Sequence, residues 1–309
     1  MKITLVGCGA LGGFFAARLL AAGEEVQILQ RPGKRFEELR REGLRFRETS
    51  GEISVFFPSL ACSPEELPPS PLVIVAVKAW STSSVAPFIP ELLEKSGWVL
   101  TLQNGLGNAE ILAERVEKNS IVLGPCTYGA RLDSQGTVCA AGDGELLLGP
   151  LRKERDLTPL KALFEGAGFR TVLREDPLPL LWEKLVYNAT INPLSALMRC
   201  PNGDLLASED LRKIMEDLVR ETLEVAREEG VVLNREECLE KCFSICRKTG
   251  SNRSSMLQDV EAGRPTENDA ISGQVVLRGQ RRGISVPCTQ NLWSLLRGID
   301  FLAKNKKNF

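Results

Sequence analysis

Residues 2–30 read KITLVGCGALGGFFAARLLAAGEEVQILQ, and this stretch decides the fold. Lys2 to Val6 is a β-run, Gly7-Cys-Gly-Ala-Leu-Gly12 supplies G-x-G-x-x-G, Phe14 to Ala22 continues as a helix that Gly23 ends, and Glu25 to Gln30 is a second β-run. In a βαβ unit of this length the glycines have distinct tasks: Gly7 makes the tight turn, Gly9 lets the backbone approach a pyrophosphate, and Gly12 lets helix and strand pack closely. The anion would sit on the helix N-terminus, where unpaired N–H groups and the dipole favour negative charge. An isolated G-x-G-x-x-G is a weak signal, whereas one held between a strand and a helix points to a dinucleotide.

The end of the second strand selects among dinucleotides. An acid there would accept from the ribose 2′-hydroxyl of NAD, but this chain has Gln30-Arg31 followed by Lys34 and Arg35. A guanidinium facing a 2′-phosphate indicates NADP(H); a solvated basic turn is the alternative.

Farther along, Gly43 to Phe57 reads as a hairpin around Thr49-Ser-Gly51, and Pro64 to Pro71 as a proline-rich connector. Leu72 to Val77 is a continuous apolar run of the kind that forms a buried parallel strand, and it delivers Lys78. Val99 to Leu102 likewise delivers Gln103-Asn104-Gly105. Ligands bind beyond the carboxyl ends of such strands, which makes Lys78 and Asn104 cofactor candidates. Residues 121–126, 127–131, 137–140 and 145–148 read as further strands, the last two as an antiparallel pair. Residues 157–167 read as a helix and 170–173 as one more strand.

Past Glu175 the β pattern stops. Helical periodicity covers 180–192, 208–229, 235–248, 255–262, 266–282 and 289–304. The fold class is therefore α/β, with an N-terminal doubly wound sheet over residues 1–175 followed by an all-α domain over residues 176–309.

The first of these helices, Leu180 to Pro193, carries an unusual polar line. Lys184, Asn188 and Asn192 fall at i, i+4 and i+8 among Leu181, Trp182, Leu185, Val186, Ala189 and Ile191. Each step of four turns the helix by only about 40°, so one ammonium and two amides share a face. Burying such groups without partners costs about 1–3 kcal/mol each, more for a charge. Either that face is solvated or something polar meets it. Ser255-Met-Leu-Gln258 reads as a capping box whose serine starts a helix and could hold a carboxylate, although plain capping needs no ligand. Gly263-Arg-Pro265 breaks that helix, and Thr266-Glu267 begins the next, offering Glu267 at a fixed point.

Composition narrows the chemistry. The 309 residues favour two domains. The 39 basic residues balance 40 acidic ones, so neither nucleic acid nor a membrane surface is an expected partner. Met1-Lys2 leads straight into a β-run, with no signal peptide and no long apolar span, so a soluble cytoplasmic protein is expected. Lys304 to Phe309 reads as a frayed tail. Nine scattered cysteines suit reduced thiols. Cys238, Cys242 and Cys246 align on a helix as core residues rather than metal ligands, and no metal is expected. The absence of histidine excludes imidazole acid, base and nucleophile-activating chemistry. Oligomeric state is left open, a homodimer included.

Taken together, Lys184-x-x-x-Asn188-x-x-x-Asn192-Pro193-Leu194, Cys200-Pro-Asn202-Gly203-Asp204-Leu205, Ser254-Ser255-Met-Leu-Gln258-Asp259 and Thr266-Glu267 resemble the ketopantoate reductase (2-dehydropantoate 2-reductase) family. So do Gly7 to Gly12, Val77-Lys78-Ala79-Trp80 and Asn104-Gly105, and the resemblance covers nearly the whole chain. The motifs of the helical half are the specific ones. The resemblance implies a Rossmann-like first domain and NADPH-dependent reduction of ketopantoate to (R)-pantoate in pantothenate synthesis; the alternatives are another keto-acid or β-hydroxyacid dehydrogenase with a Lys-x-x-x-Asn helix, or a non-catalytic NADPH-sensing regulator. It implies Lys184 as general acid, Asn188, Asn192 and Asn202 holding substrate, Ser255 binding its carboxylate and Glu267 its hydroxyl. NADPH would meet Gly7, Cys8, Gly9, Ala10, Leu11, Gly12, Arg31, Lys78, Asn104 and Ala130. Departures are modest, such as Tyr187 before Asn188 and Gly129 beside Ala130, and none removes a group the chemistry uses.

Overall fold

The computed structural model describes residues 1–152 and 155–305. The end of the Lys304 to Phe309 tail, expected to fray, lies outside the described residues. The chain divides into two compact units, one formed by Met1–Gln103 with Asn108–Pro177, the other by Asn104–Gly107 with the chain from Leu178 onward.

Among the described residues the first unit holds strands β1 (Lys2–Val6), β2 (Glu25–Leu29), β3 (Leu44–Arg47), β4 (Ile53–Phe56), β5 (Ser59–Ala61), β6 (Ser70–Val75), β7 (Leu93–Thr101), β8 (Ile121–Leu123), β9 (Ala130–Leu132), β10 (Val138–Ala140), β11 (Leu146–Pro150) and β12 (Thr171–Leu173). Its helices are α1 (Ala10–Ala21), α2 (Lys34–Glu42), α3 (Thr82–Val85), α4 (Ile89–Leu92), α5 (Asn108–Leu112) and α6 (Thr158–Gly166). The main sheet runs β12-β11-β8-β7-β6-β1-β2-β5. It is parallel apart from the β8–β11 pair. Strand β1 lies between β2 and β6, so the winding reverses between β1 and β6, the position beyond whose strand ends open α/β sheets bind their ligands. The fold is thus Rossmann-like. Ile3, Leu5, Leu72 and Ile74 are wholly buried, as expected for strands covered on both faces. Phe14 and Phe15 of α1 pack against Phe169, the latter stacked at 4.5 Å between centroids.

Strands β3 and β4 form the expected hairpin, but within a second sheet ordered β4-β3-β10-β9. This corrects the reading of 137–140 and 145–148 as an antiparallel pair. Strand β10 lies between β3 and β9, whereas β11 joins β8 and β12. The reason is that Thr127 and Glu145 exchange hydrogen bonds, and the Leu147 amide donates to the Pro125 carbonyl, which draws the fully buried β11 into the large sheet. The basic stretch after Pro32 is helix α2, which only Leu39 anchors by burial. Its surface is held by Lys34–Glu38 and Arg40–Glu37 pairs rather than by an apolar stripe, so periodicity gave no sign of it.

The second unit is all helical among its described residues, with α7 (Leu178–Met198), α8 (Glu209–Glu228), α9 (Arg235–Lys248), α10 (Ser255–Glu261), α11 (Ser272–Arg282) and α12 (Pro287–Asn305). Helix α7 runs past Pro193, where it was expected to stop. An internal proline costs about 3 kcal/mol, and the burial of Leu194, Ser195 and Ala196 beyond it offsets that cost. Helix α11 begins at Ser272, not at Thr266. Thr266 and Asn268 direct their side chains to α12 instead, which holds 266–271 as a turn. Cys238, Cys242 and Cys246 are buried with Val186, Ile191, Leu194 and Met215 as core residues. No helix among the described residues is long and apolar enough to cross a membrane.

Candidate active site

The first unit shapes the glycine loop between β1 and α1 by close backbone packing. Gly7 has φ +95°, and a Cβ on it would lie 2.6 Å from Val77 Cγ1. A Cβ on Gly12 would lie 2.2 Å from the Gly7 carbonyl oxygen, so only glycine lets α1 start this close to β1. A Cβ on Gly9 would meet nothing within 4 Å, which leaves open space in front of the loop. Ala10 and Leu11 stand in the first turn of α1, whose N–H groups have no acceptor within the helix. Cys8 plays a different part. Its amide donates to Gln30 Oε1 at 2.8 Å, its carbonyl accepts from Arg35 Nε at 3.0 Å, and its buried thiol has its pKa raised by desolvation.

Arg31 is exposed, with its guanidinium 5.5 Å from the centre of the Trp80 ring. Arg35, by contrast, is turned inward, with Nη1 donating to the Gly136 carbonyl at 2.7 Å. Lys78 is half-buried, three residues beyond β6, and its carbonyl accepts from the Ser81 amide. A buried network fixes this turn: Gln103 Nε2 donates to Val77 O at 2.9 Å and to Thr82 Oγ1 at 2.7 Å, and Thr82 Oγ1 lies 2.8 Å from Asn108 Oδ1. Ala130 opens β9 opposite Ala140.

The second unit builds a polar face. Asn188 and Asn192 are hydrogen-bonded on α7, Nδ2 of the latter to Oδ1 of the former at 3.4 Å. Half-buried Lys184 stands one turn earlier on the same face. Behind them, Tyr187 donates to Glu183, and burial together with that carboxylate pushes the phenol pKa well above its usual range. Glu267 is buried and accepts from Asn104 Nδ2 at 3.4 Å. This bond depends on the short excursion Asn104–Gly107: the Leu106 amide donates to the Ala270 carbonyl at 2.9 Å. Gly105, at φ +80°, leaves no space for a Cβ, which would lie 2.1 Å from that same oxygen.

Ser255 requires a correction. It is the first residue of α10, but the cap is Ser254, whose Oγ accepts from the Leu257 amide at 3.1 Å. Ser195 of α7 donates to Ser254 Oγ at 2.6 Å, and this long-range partner decides which of two adjacent serines caps. The Ser255 hydroxyl is exposed and outside the cap. Asn202 is buried, with Nδ2 donating to Thr249 Oγ1 at 3.0 Å and Oδ1 without a partner among the described residues. It is anchored at the end of α9, and no hydrogen bond among the described residues ties it to the α7 amides. Nothing in the sequence signalled Thr82 and Asn108, nor that Gln30 and Arg35, noted at the end of the second strand, brace the Cys8 backbone, because these partners are distant in the chain and leave no periodic signal.

Comparison with known proteins places this arrangement. Residues 3–153 match the family model "Ketopantoate reductase PanE/ApbA", and residues 178–300 match "Ketopantoate reductase PanE/ApbA C terminal". The 2-dehydropantoate 2-reductase of Halobacterium salinarum is 34% identical over 96% of this chain and 98% of its own, and that of Archaeoglobus fulgidus 33% identical over 97% and 98%. Among solved structures, a PanE/ApbA family ketopantoate reductase from Ralstonia eutropha JMP134 superposes with a TM-score of 0.91 at 31% identity, covering 98% of this chain and 100% of that one. A D-mandelate dehydrogenase in ternary complex with NADH and anilino(oxo)acetate shares the fold, with a TM-score of 0.93 at 24% identity over 98% of this chain and 100% of that one. The glycine cradle, the α7 polar face and these full-length matches lead to one conclusion: the chain belongs to the ketopantoate reductase family of oxidoreductases.

Proposed function

We propose that the protein reduces 2-dehydropantoate (ketopantoate) to (R)-pantoate with NADPH, in the cytoplasmic synthesis of pantothenate and coenzyme A. The observation that carries this reading is the polar face of α7, where Lys184, Asn188 and Asn192 lie among buried apolar neighbours in the same unit as the Asn104–Glu267 pair. Hydride arrival at C2 of a 2-keto acid makes an alkoxide, so the site must supply a proton and positive charge at that oxygen. The Lys184 ammonium offers both. Asn188, Asn192 and Asn202 would orient the substrate, Ser255 would bind its carboxylate through the exposed hydroxyl, and Glu267 would accept from the 4-hydroxyl.

The residues of the first unit fit a dinucleotide. The open space at Gly9 and the N–H groups of the first turn of α1 suit a pyrophosphate, with Gly7, Cys8, Ala10, Leu11 and Gly12 shaping the cradle. Arg31 would take the 2′-phosphate, and Lys78, Asn104 and Ala130 would make the remaining contacts. NADPH, when bound, supplies the hydride.

The test follows absorbance at the NADPH band after addition of ketopantoate, beside pyruvate, 2-ketoisovalerate and oxaloacetate. A fall in absorbance that is fastest with ketopantoate is expected. Absence of oxidation with ketopantoate, or a clear preference for another acid, would overturn the assignment.

A further inference from the structure

Glu267 is embedded in a stretch that resists regular structure. Residues 266–271 lie between α10 and α11 as a turn, although both neighbouring segments are helical. Thr266, Glu267 and Asn268 are all buried. A buried turn is expensive unless its polar groups are met, and here helix α12 meets groups of Thr266, Asn268 and Asp269.

Both carboxylate oxygens of Asp300 are engaged by Thr266: Oδ1 accepts from its amide at 3.2 Å and Oδ2 from its hydroxyl at 2.7 Å. Two turns earlier on α12, the Trp293 carbonyl accepts from Asn268 Nδ2 at 2.9 Å, and the Trp293 indole donates to Asp269 Oδ1 at 2.7 Å. The seven-residue separation puts Trp293 and Asp300 on one face of α12. The residue before Glu267 and the two after it are therefore each tied to the same rigid helix. Glu267 closes the turn itself, its carbonyl accepting from the Ala270 and Ile271 amides at 3.1 Å.

We infer that Asp300 is a positioning residue for the reaction: through Thr266 it fixes the backbone that carries Glu267, and so determines how well the enzyme recognises the substrate hydroxyl. The inference rests on the proposed role of Glu267 as the partner of that hydroxyl. In this role Asp300 acts through Thr266 rather than on substrate or cofactor directly. A site carboxylate must be held within about 0.5 Å of its productive place, and a six-residue turn cannot achieve this unaided. Asp300 supplies the constraint at one end of the turn, and Trp293 at the other.

Steady-state kinetics with two substrates provide the test, because 2-ketoisovalerate lacks the hydroxyl that Glu267 would grip. Asp300→Ala and the milder Thr266→Val, which removes only the hydroxyl donor, should each raise KM for ketopantoate by about tenfold, the scale of one lost hydrogen bond to a charged group. They should leave KM for NADPH and KM for 2-ketoisovalerate within about twofold of wild type. Asp300→Asn keeps an acceptor for the Thr266 amide and should restore most of the loss. In a Glu267→Gln background, Thr266→Val should have no further effect on ketopantoate. Equal penalties for both substrates, or additive losses with Glu267→Gln, would overturn the inference and leave Asp300 a structural residue. Wild-type kinetics in Thr266→Val, with Glu267→Gln still discriminating between the substrates, would overturn the inference alone. Failure of Glu267→Gln to discriminate between the substrates would remove the role of Glu267 as well.

Discussion

Removal of the Lys184 ammonium would leave the two α7 amides in place while deleting the proposed proton donor. Lys184→Ala should therefore lower kcat by about 10²-fold or more with a small change in KM, as for other general acids. Single-turnover and steady-state rates check this, and wild-type turnover would take Lys184 out of the chemistry. Arg31 presents a different test, because its exposed guanidinium lies beside Trp80 and its proposed partner is a single phosphate. Arg31→Ala should weaken NADPH binding by about 10-fold or more, the value of a charge-assisted contact, and change NADH binding little. Titration of both cofactors measures the ratio, and equal losses would dismiss the 2′-phosphate assignment. Arg35 was grouped with Arg31 by sequence proximity, yet it braces the glycine loop through the Cys8 carbonyl. Two arginines four positions apart thus have different partners, and only the folded loop separates them.

Helix α9 carries its three cysteines into the apolar core, where desolvation raises the Cys238 and Cys246 thiols to about 11 and pushes Cys242 up further. The thiolate is the reactive form, and a thiol of pKa about 11 is thiolate in only about one part in 10³ near pH 8. Raised values keep these groups protonated and neutral across the working range. Alkylation of the native protein near neutral pH should modify exposed Cys62 first, and the α9 thiols only after unfolding. Mass spectrometry of labelled peptides checks the order, and early modification of Cys242 would contradict a closed core. The i, i+4, i+8 spacing of these cysteines was visible in the chain, and core burial was read from it correctly because free thiols pack as small apolar groups. The limits of α7 were not legible, since local propensity stops a helix at Pro193 and only the burial of Leu194 and Ala196 carries it on.

At the scale of the whole molecule, the chain crosses between its two units at 103/104, 107/108 and 177/178. The four-residue excursion is seated on 267–270 by the Leu106 amide and by a glycine with no space for a side chain. Gly105→Ala should force that seat apart: the left-handed backbone alone costs about 1–2 kcal/mol, and the Cβ clash adds to it. A lower denaturation midpoint and a raised KM for ketopantoate are expected, and unchanged values for both would show the seat to be dispensable. The sequence by itself determined the order of the chain's parts. A strand, a glycine turn and a helix in thirty residues specify a doubly wound sheet, and a Lys-Asn-Asn line at helical spacing specifies a polar face, because both signals are local and periodic. The tertiary structure alone decided that β10 and β11 part into different sheets, that Ser254 rather than Ser255 caps α10, that Asn104 reaches Glu267, and that Asp300 holds the turn before it. Each of those outcomes turns on a hydrogen bond between residues far apart in the chain, and such partners are chosen by packing, which no spacing within the sequence encodes.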